Sequence, residues 1–383
     1  MPFEFLEPLD ADLIGFVNGL SPQALGKKAI LHTEEVFPEM ENAAIAIVGV
    51  LDNRGMNDKK DHVHLNYIRK EFYGLFPGNW DKEIIDLGNI PSGETPQDTY
   101  YAVKSIAEAL IKSKIIPVVI GGSQDLAYGL YRAYDRLEQM VNLVAIDSRF
   151  DFGKENEPIS ARSYLTNIIV DEPNNLFNYS NIGYQTYYNP QEEIDLIEKL
   201  YFDAYRLGEV CNDPSIAEPV FRDADMVCID MTAVKSADSG NIVKFIPNGF
   251  DGKEICTLAR YAGISDKVSS FGIFNHEDTR QEAALIAQVV WYFIEGMHYR
   301  SNEYPFGSKE QYLKYIVPTE DEEIVFYKSD KTERWWIDVP FVSGVDNKLK
   351  RNTLLPCSYQ DYISACNNEF PERLWKAQRK NII

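Results

Sequence analysis

The sequence is poor in the residues that most directly announce chemistry. Its 383 residues include five cysteines, Cys211, Cys228, Cys256, Cys357 and Cys366, odd in number and without a C-x-x-C pair. That scatter excludes a cysteine zinc site and argues against a disulfide frame, so reduced thiols in a cytoplasmic setting are expected. Positive charge is short as well: 38 Lys and Arg face 59 Asp and Glu, a formal net charge of -21. Binding a phosphate backbone needs cations that displace counterions, so nucleic acid is excluded as the main partner. No run reaches the roughly 18 to 20 apolar residues that span a bilayer. Acidic residues also fill the N-terminal stretch where an export signal would carry positive charge.

Familiar catalytic signatures are missing too. The segment Gly121-Gly122-Ser123-Gln124-Asp125 lacks the G-x-S-x-G elbow, and no histidine is placed to serve Ser123. It also lacks the lysine of a phosphate-cradling loop. Of five histidines, His32, His62, His64 and His298 read as surface or packing residues. His276 lies beside Asn275 and could donate to an anionic ligand, although strand alternation puts the two on opposite faces.

What the chain does have is a repeating order of strands and helices. Short apolar runs at Ala43–Val50, Glu83–Leu87, Ile115–Ile120, Val141–Ile146, Asn181–Tyr184, Met226–Ile229 and Val268–Ile273 read as strands. Between them, helical spacing appears over Tyr100–Ser113, Asp125–Gln139, Glu192–Tyr201, Lys253–Ala262 and Gln281–Tyr299. The alternation predicts an α/β fold whose mostly parallel central sheet is covered on both faces. Residues 1–40 are expected to form an N-terminal helical extension and 41–300 the α/β domain. Residues 301–383 are expected to form a C-terminal extension, with a hairpin over 322–328 and 335–339 and a helix over 372–380, packed on the core or on a partner.

Function in such sheets gathers beyond the carboxyl ends of the strands. There the chain places GGSQDLAYG (121–129), DSRFD (147–151) and CIDMTAVKSADSG (228–240). Buried acidic residues are costly unless something positive sits among them. Asp147 and Asp151, with Asp230, could converge on a hard cation; on spacing alone, helix capping or turn bonding remains the commoner role.

Taken together with SSFGIFNHED (269–278), these segments resemble the arginase–agmatinase–formimidoylglutamase (ureohydrolase) family over roughly residues 43–298. The formimidoylglutamase branch is the most similar: GGSQDLAYG parallels its GGGHE-x-AYG run and DSRFD its DAHFD. The resemblance implies a three-layer α/β/α fold and a site for two manganese ions held by two His and four Asp. It keeps Asp147 and Asp230 as bridging carboxylates and Asp151 as a ligand of the first ion. It places Gln124 and Arg149 where the two histidines belong, Thr232 at the fourth aspartate, and Asn275 at the glutamate that receives the substrate's amidine. Ser163 and Arg162 fall in the loop 159–165 that aligns with the substrate-recognition loop; Arg162 could bind a carboxylate or be solvated surface.

Charge counting leaves two readings. Asp147, Asp151 and Asp230 contribute -3 and Arg149 +1, leaving -2. One divalent cation (Mg, Mn or Ca) held by the three carboxylates and the Gln124 amide would restore neutrality. Otherwise Arg149 forks across Asp147 and Asp230 and no metal or other cofactor binds, which is the preferred reading. Family hydrolysis relies on two cations acidifying a water, so the expected function is that of a pseudoenzyme acting as a scaffold or regulatory protein. Its partners would be another protein or copies of itself, as trimers or hexamers by family resemblance. The alternatives are an active mononuclear hydrolase of linear amidines and a small-molecule sensor.

Overall fold

The computed structural model describes residues 2–56, 65–137, 139–154, 157–303, 310–319, 323–339 and 354–380. His62 and His64 lie outside the described residues. Nine strands build the central sheet: β1 (Ile30–Leu31), β2 (Ala43–Val50), β3 (Glu83–Ile90), β4 (Ile116–Ile120), β5 (Val141–Ile146), β6 (Leu176–Tyr184), β7 (Asp203–Arg206), β8 (Met226–Asp230) and β9 (Ser270–Phe274). Their order is β1-β3-β2-β4-β9-β8-β5-β6-β7, and every pairing is parallel.

Two-residue alternation sends side chains to opposite layers. Ile45, Ile47, Val118, Ile120, Val227 and Ile229 enter one core with the helices Gly252–Ile264 and Arg280–His298. Ala46, Val48, Val119, Met226 and Cys228 enter the other, against Pro96–Lys112 and Leu126–Arg132. This is the three-layer α/β/α arrangement. Among the described residues no helix is long and apolar enough to cross a membrane.

Some elements differ from the sequence expectation. The helix foreseen over 125–139 ends at Arg132, and Tyr134 just beyond it is fully buried, its hydroxyl 2.7 and 2.8 Å from those of Ser269 and Ser270. That tertiary anchor overrides helix propensity. Strand β7, reading DAYR, was too short and polar to announce itself, yet it pairs in register with β6. In the N-terminal stretch the helix Ala11–Asn18 is followed by β1, which pairs with β3 at one edge.

After the central domain comes a second, antiparallel sheet in the order β10 (Tyr312–Pro318), β11 (Glu323–Ser329), β12 (Trp335–Asp338) and β13 (Leu354–Cys357). It includes the foreseen hairpin, followed by helices Tyr359–Cys366 and Glu372–Lys380. The sheet rests on its own chain. Buried Arg222 donates to the carbonyls of Trp335 at 3.0 Å and Cys357 at 2.8 Å, with its guanidinium 4.8 Å over the Trp336 ring.

One buried carboxyl of the scaffold gives a pH signature. Asp225, just before β8, accepts the Asn142 N–H at 2.8 Å and lies 3.2 Å from Lys267 Nζ. Burial outweighs that ammonium and pushes its pKa up to about 6. A carboxyl raised above its unfolded value holds its proton more tightly when folded. Its stabilising contribution therefore grows as pH falls below about 6 and is lost as pH rises through that value. Asp225→Asn is expected to flatten this part of the melting-temperature profile, measured by thermal denaturation between about pH 4 and 7.

Candidate functional site

The strand order β4-β9-β8-β5 makes neighbours of four segments far apart in sequence. Their carboxyl ends deliver Gln124, Asn275, Asp230 and Asp147 to one edge, and all four are buried. Two glycines let the first segment turn so sharply. Gly121 and Gly122 have φ of 133° and 55°, and a Cβ there would lie 2.3 Å from the Val50 carbonyl oxygen and 1.9 Å from that of Asp52. Asp151 and Asn275 also adopt positive φ, 56° and 57°, a conformation that Asp and Asn tolerate better than most residues. Because β9 ends at Phe274 and Asn275 is left-handed, strand alternation no longer determines where His276 points.

Asp147, Asp151 and Asp230 bring carboxylate oxygens within 4.8 Å of one another, all buried. The surrounding bonds hold them in place. Asp230 accepts the Thr232 N–H at 2.7 Å and the Asn275 side-chain N–H at 2.8 Å, while Asn275 Oδ1 accepts the Gln124 backbone N–H at 3.0 Å. Asp147 accepts the Arg149 N–H at 2.9 Å. Gln124 Nε2 meets the Tyr164 hydroxyl at 3.3 Å. Four buried oxygens remain without a hydrogen-bond partner: Gln124 Oε1, Asp147 Oδ2, Asp151 Oδ2 and Thr232 Oγ1.

Three carboxyls this close cannot all ionise cheaply in a low-dielectric site. Burial, then the charges of Asp151 and Asp230, raise Asp147 well above the carboxylate range; burial likewise raises Asp151. Glu193, within electrostatic reach, is pushed up to about 7 by burial and by Asp151.

The guanidiniums correct the sequence reading. Arg149 does not fork across Asp147 and Asp230. It reaches away, donating to the Tyr188 carbonyl at 2.8 Å and stacking 4.4 Å from the centre of that residue's ring. The physical reason is non-local. Asn189 accepts the Phe150 N–H at 2.9 Å and donates to the Ser148 carbonyl at 3.0 Å, tying the loop after β6 to the loop after β5. That places an aromatic face and a free carbonyl beside Arg149. The cation that enters the cluster is Arg162, whose Nη1 lies 3.2 Å from Asp151 Oδ1. Burial works against its charge, yet the three carboxylates hold its proton firmly. Arg149 is shifted the other way, by burial first and by repulsion from Arg162 next.

Tyr164, Tyr188 and Asn189 escaped the sequence reading, because nothing local marks a residue that serves a site across the sheet. Arg162 carried a faint signal, its place in the loop after DSRFD.

Comparison with known proteins gives consistent relatives. A family model described as "Arginase family" matches residues 46–273. No curated protein sequence matches the chain. Among solved structures, formiminoglutamase from Trypanosoma cruzi with Mn2+ superposes with a TM-score of 0.60 at 16% identity, covering 68% of this chain and 96% of that one. Formimidoylglutamase from Bacillus subtilis gives 0.60 at 16%, covering 68% and 88%. Agmatine ureohydrolase of Thermoplasma volcanium gives 0.57 at 17%, covering 75% and 98%. At such identities the likeness establishes the fold.

Proposed function

The chain belongs to the Arginase family, and from that premise we propose that it works by binding rather than by hydrolysis, as a catalytically silent scaffold or regulatory protein. One observation carries this reading: where the family pattern supplies the second cation with imidazole and carboxylate, this chain has Arg149 turned onto Tyr188 and Thr232. A guanidinium and an alcohol are poor donors for a divalent ion, so a pair of manganese ions does not fit these residues.

A single cation does fit. The four unpartnered buried oxygens come from Gln124, Asp147, Asp151 and Thr232, and leaving such acceptors unsatisfied costs about 1–3 kcal/mol each. Asp147, Asp151 and Asp230 would hold the ion, with the Gln124 amide completing an oxygen shell suited to Mg or Ca as well as Mn. Its charge would offset theirs. This oxygen shell replaces the metal-free, Arg149-plugged cavity as the favoured reading. It also supports a second reading, a mononuclear amidine hydrolase.

Metal analysis and calorimetric titration with Mn, Mg and Ca count the ions, and an assay for urea or formamide release from a linear amidine separates the two readings. At most one ion per chain is expected, removable by chelator and lost in Asp147→Asn. At hundredfold excess over Kd the ion would stabilise the fold by about 2.7 kcal/mol. For a chain of this length that raises the melting temperature by roughly 3 °C. Two tightly held manganese ions, or chelator-sensitive release of urea or formamide from a linear amidine whatever the ion count, would overturn the proposal.

A further inference from the structure

Two guanidiniums stand beside the carboxylate cluster, and neither is used up. Arg149 spends one N–H on the Tyr188 carbonyl at 2.8 Å, and Arg162 one on Asp151 Oδ1 at 3.2 Å. Their remaining side-chain N–H bonds have no partner among the described residues and are not buried. Each arginine is also held in place. Arg149 lies 4.4 Å from the centre of the Tyr188 ring. Arg162 belongs to a turn in which buried Ser163 accepts the Ser160 N–H at 2.9 Å and donates to the Pro158 carbonyl at 3.0 Å. The two cations are near enough to repel one another. Like charges fixed within reach of each other are unfavourable unless an anion joins them.

Formal charge decides when an anion can enter. Asp147, Asp151 and Asp230 give -3 and the two arginines +2, so without a cation the cluster stands at -1, or at -2 with Glu193 ionised. It then repels anions. One divalent ion brings the sum to +1, or to zero with Glu193 ionised, and the repulsion is gone. An ion in such a site takes roughly six oxygens or more, and magnesium characteristically keeps water and phosphate oxygens beside the carboxylates. A guanidinium fork matches two oxygens of a phosphoryl group, which has three to offer. A carboxylate, with two, leaves one of the three cations without an oxygen of its own.

We infer that the cluster, once it holds its divalent ion, binds a phosphoryl group that Arg149 and Arg162 clamp beside the ion. The inference rests on the single-cation reading above and names the ligand class that such a binding protein takes. The coupling is reciprocal: the factor by which the ion tightens phosphate is the factor by which phosphate tightens the ion.

The test is calorimetric titration of the full chain at constant ionic strength. Inorganic phosphate and glycerol 3-phosphate are titrated in excess magnesium or manganese, and again in chelator. With the ion a Kd below about 1 mM is expected for at least one of them, and binding at least about tenfold weaker in chelator. Acetate should be at least about tenfold weaker too. Tighter binding of the ester identifies a phosphorylated molecule as the ligand, and tighter binding of phosphate the free ion. Arg149→Met should weaken phosphate at least about tenfold yet leave magnesium alone bound no more weakly, because it removes a cation that repels the metal. Arg149→Lys keeps the charge but not the fork, so it should recover only part of the loss. No saturable phosphate binding with the ion, equal binding in chelator or of acetate, or an unchanged affinity in Arg149→Met would overturn the inference and leave the single-cation reading standing. A chain that takes up no divalent ion would overturn both.

Discussion

Replacing Gln124 and Arg149 by His, Thr232 by Asp and Asn275 by Glu together is expected to convert a chain that takes up at most one divalent ion into one that takes up two. The physical basis is charge and donor type. In the parent, burial and neighbouring carboxyls already disfavour charge on Asp147 and Asp151, and Arg162 is the cation beside them. The variant adds two carboxylates and two imidazoles and removes one guanidinium, so without metal it must be strongly destabilised by like charges. Asn275→Glu also exchanges the amide that donates to Asp230 at 2.8 Å for a repelling group. Manganese should therefore rescue folding, which gives a readout independent of turnover. Hydrolysis of formiminoglutamate, agmatine or arginine should rise by about 10³-fold or more, the scale at which an electrostatic catalyst is usually felt. Thermal melting with and without manganese, followed by release of urea or formamide, checks both parts. A parent that already hydrolyses one of these substrates at the variant's rate would defeat the argument.

The second large effect is structural and concerns Arg222. Its guanidinium bridges two strand carbonyls, pairs with Glu218 at 3.2 Å and covers the Trp336 ring. With a side chain only 4% exposed, it is the main polar tie between the second sheet and the central domain's helix Glu218–Asp223. Arg222→Ala is expected to cost about 3–5 kcal/mol, because the partners are left buried and unsatisfied. If the chain melts as one unit, that lowers its midpoint by roughly 4–6 °C. If the second sheet melts separately, a new earlier transition appears in calorimetry and proteolysis releases the C-terminal part. Arg222→Lys keeps the charge but not the fork, so it should recover only part of the loss. A variant as stable as the parent would show that the seam is held mainly by apolar packing.

Much of this molecule was written in one dimension. Apolar runs such as Ala43–Val50 and Val141–Ile146 coincide with β2 and β5 residue for residue, because parallel strands buried on both faces need unbroken branched and apolar side chains. The acidic residues that close those runs also declared themselves, since Asp147 and Asp230 follow directly on strand patterns and must leave the sheet at its functional edge. The residues that the family resemblance sets at its ligand and substrate positions, Gln124, Arg149, Thr232 and Asn275, can also be named from the sequence.

The direction of each side chain could not. From its place beside Asp147, Arg149 is an obvious counter-ion, and only the loop after β6, arriving 39 residues later with the Tyr188 carbonyl and ring, draws it away. Arg162 takes the vacated role through Asp151. Local sequence determines which groups reach the strand ends, through burial and the two-residue period of a strand. Which of them meet is decided by strand order and by loops packed from the far side of the sheet, because Coulomb attraction and hydrogen bonding depend on distance in space, and no spacing along the chain encodes that distance.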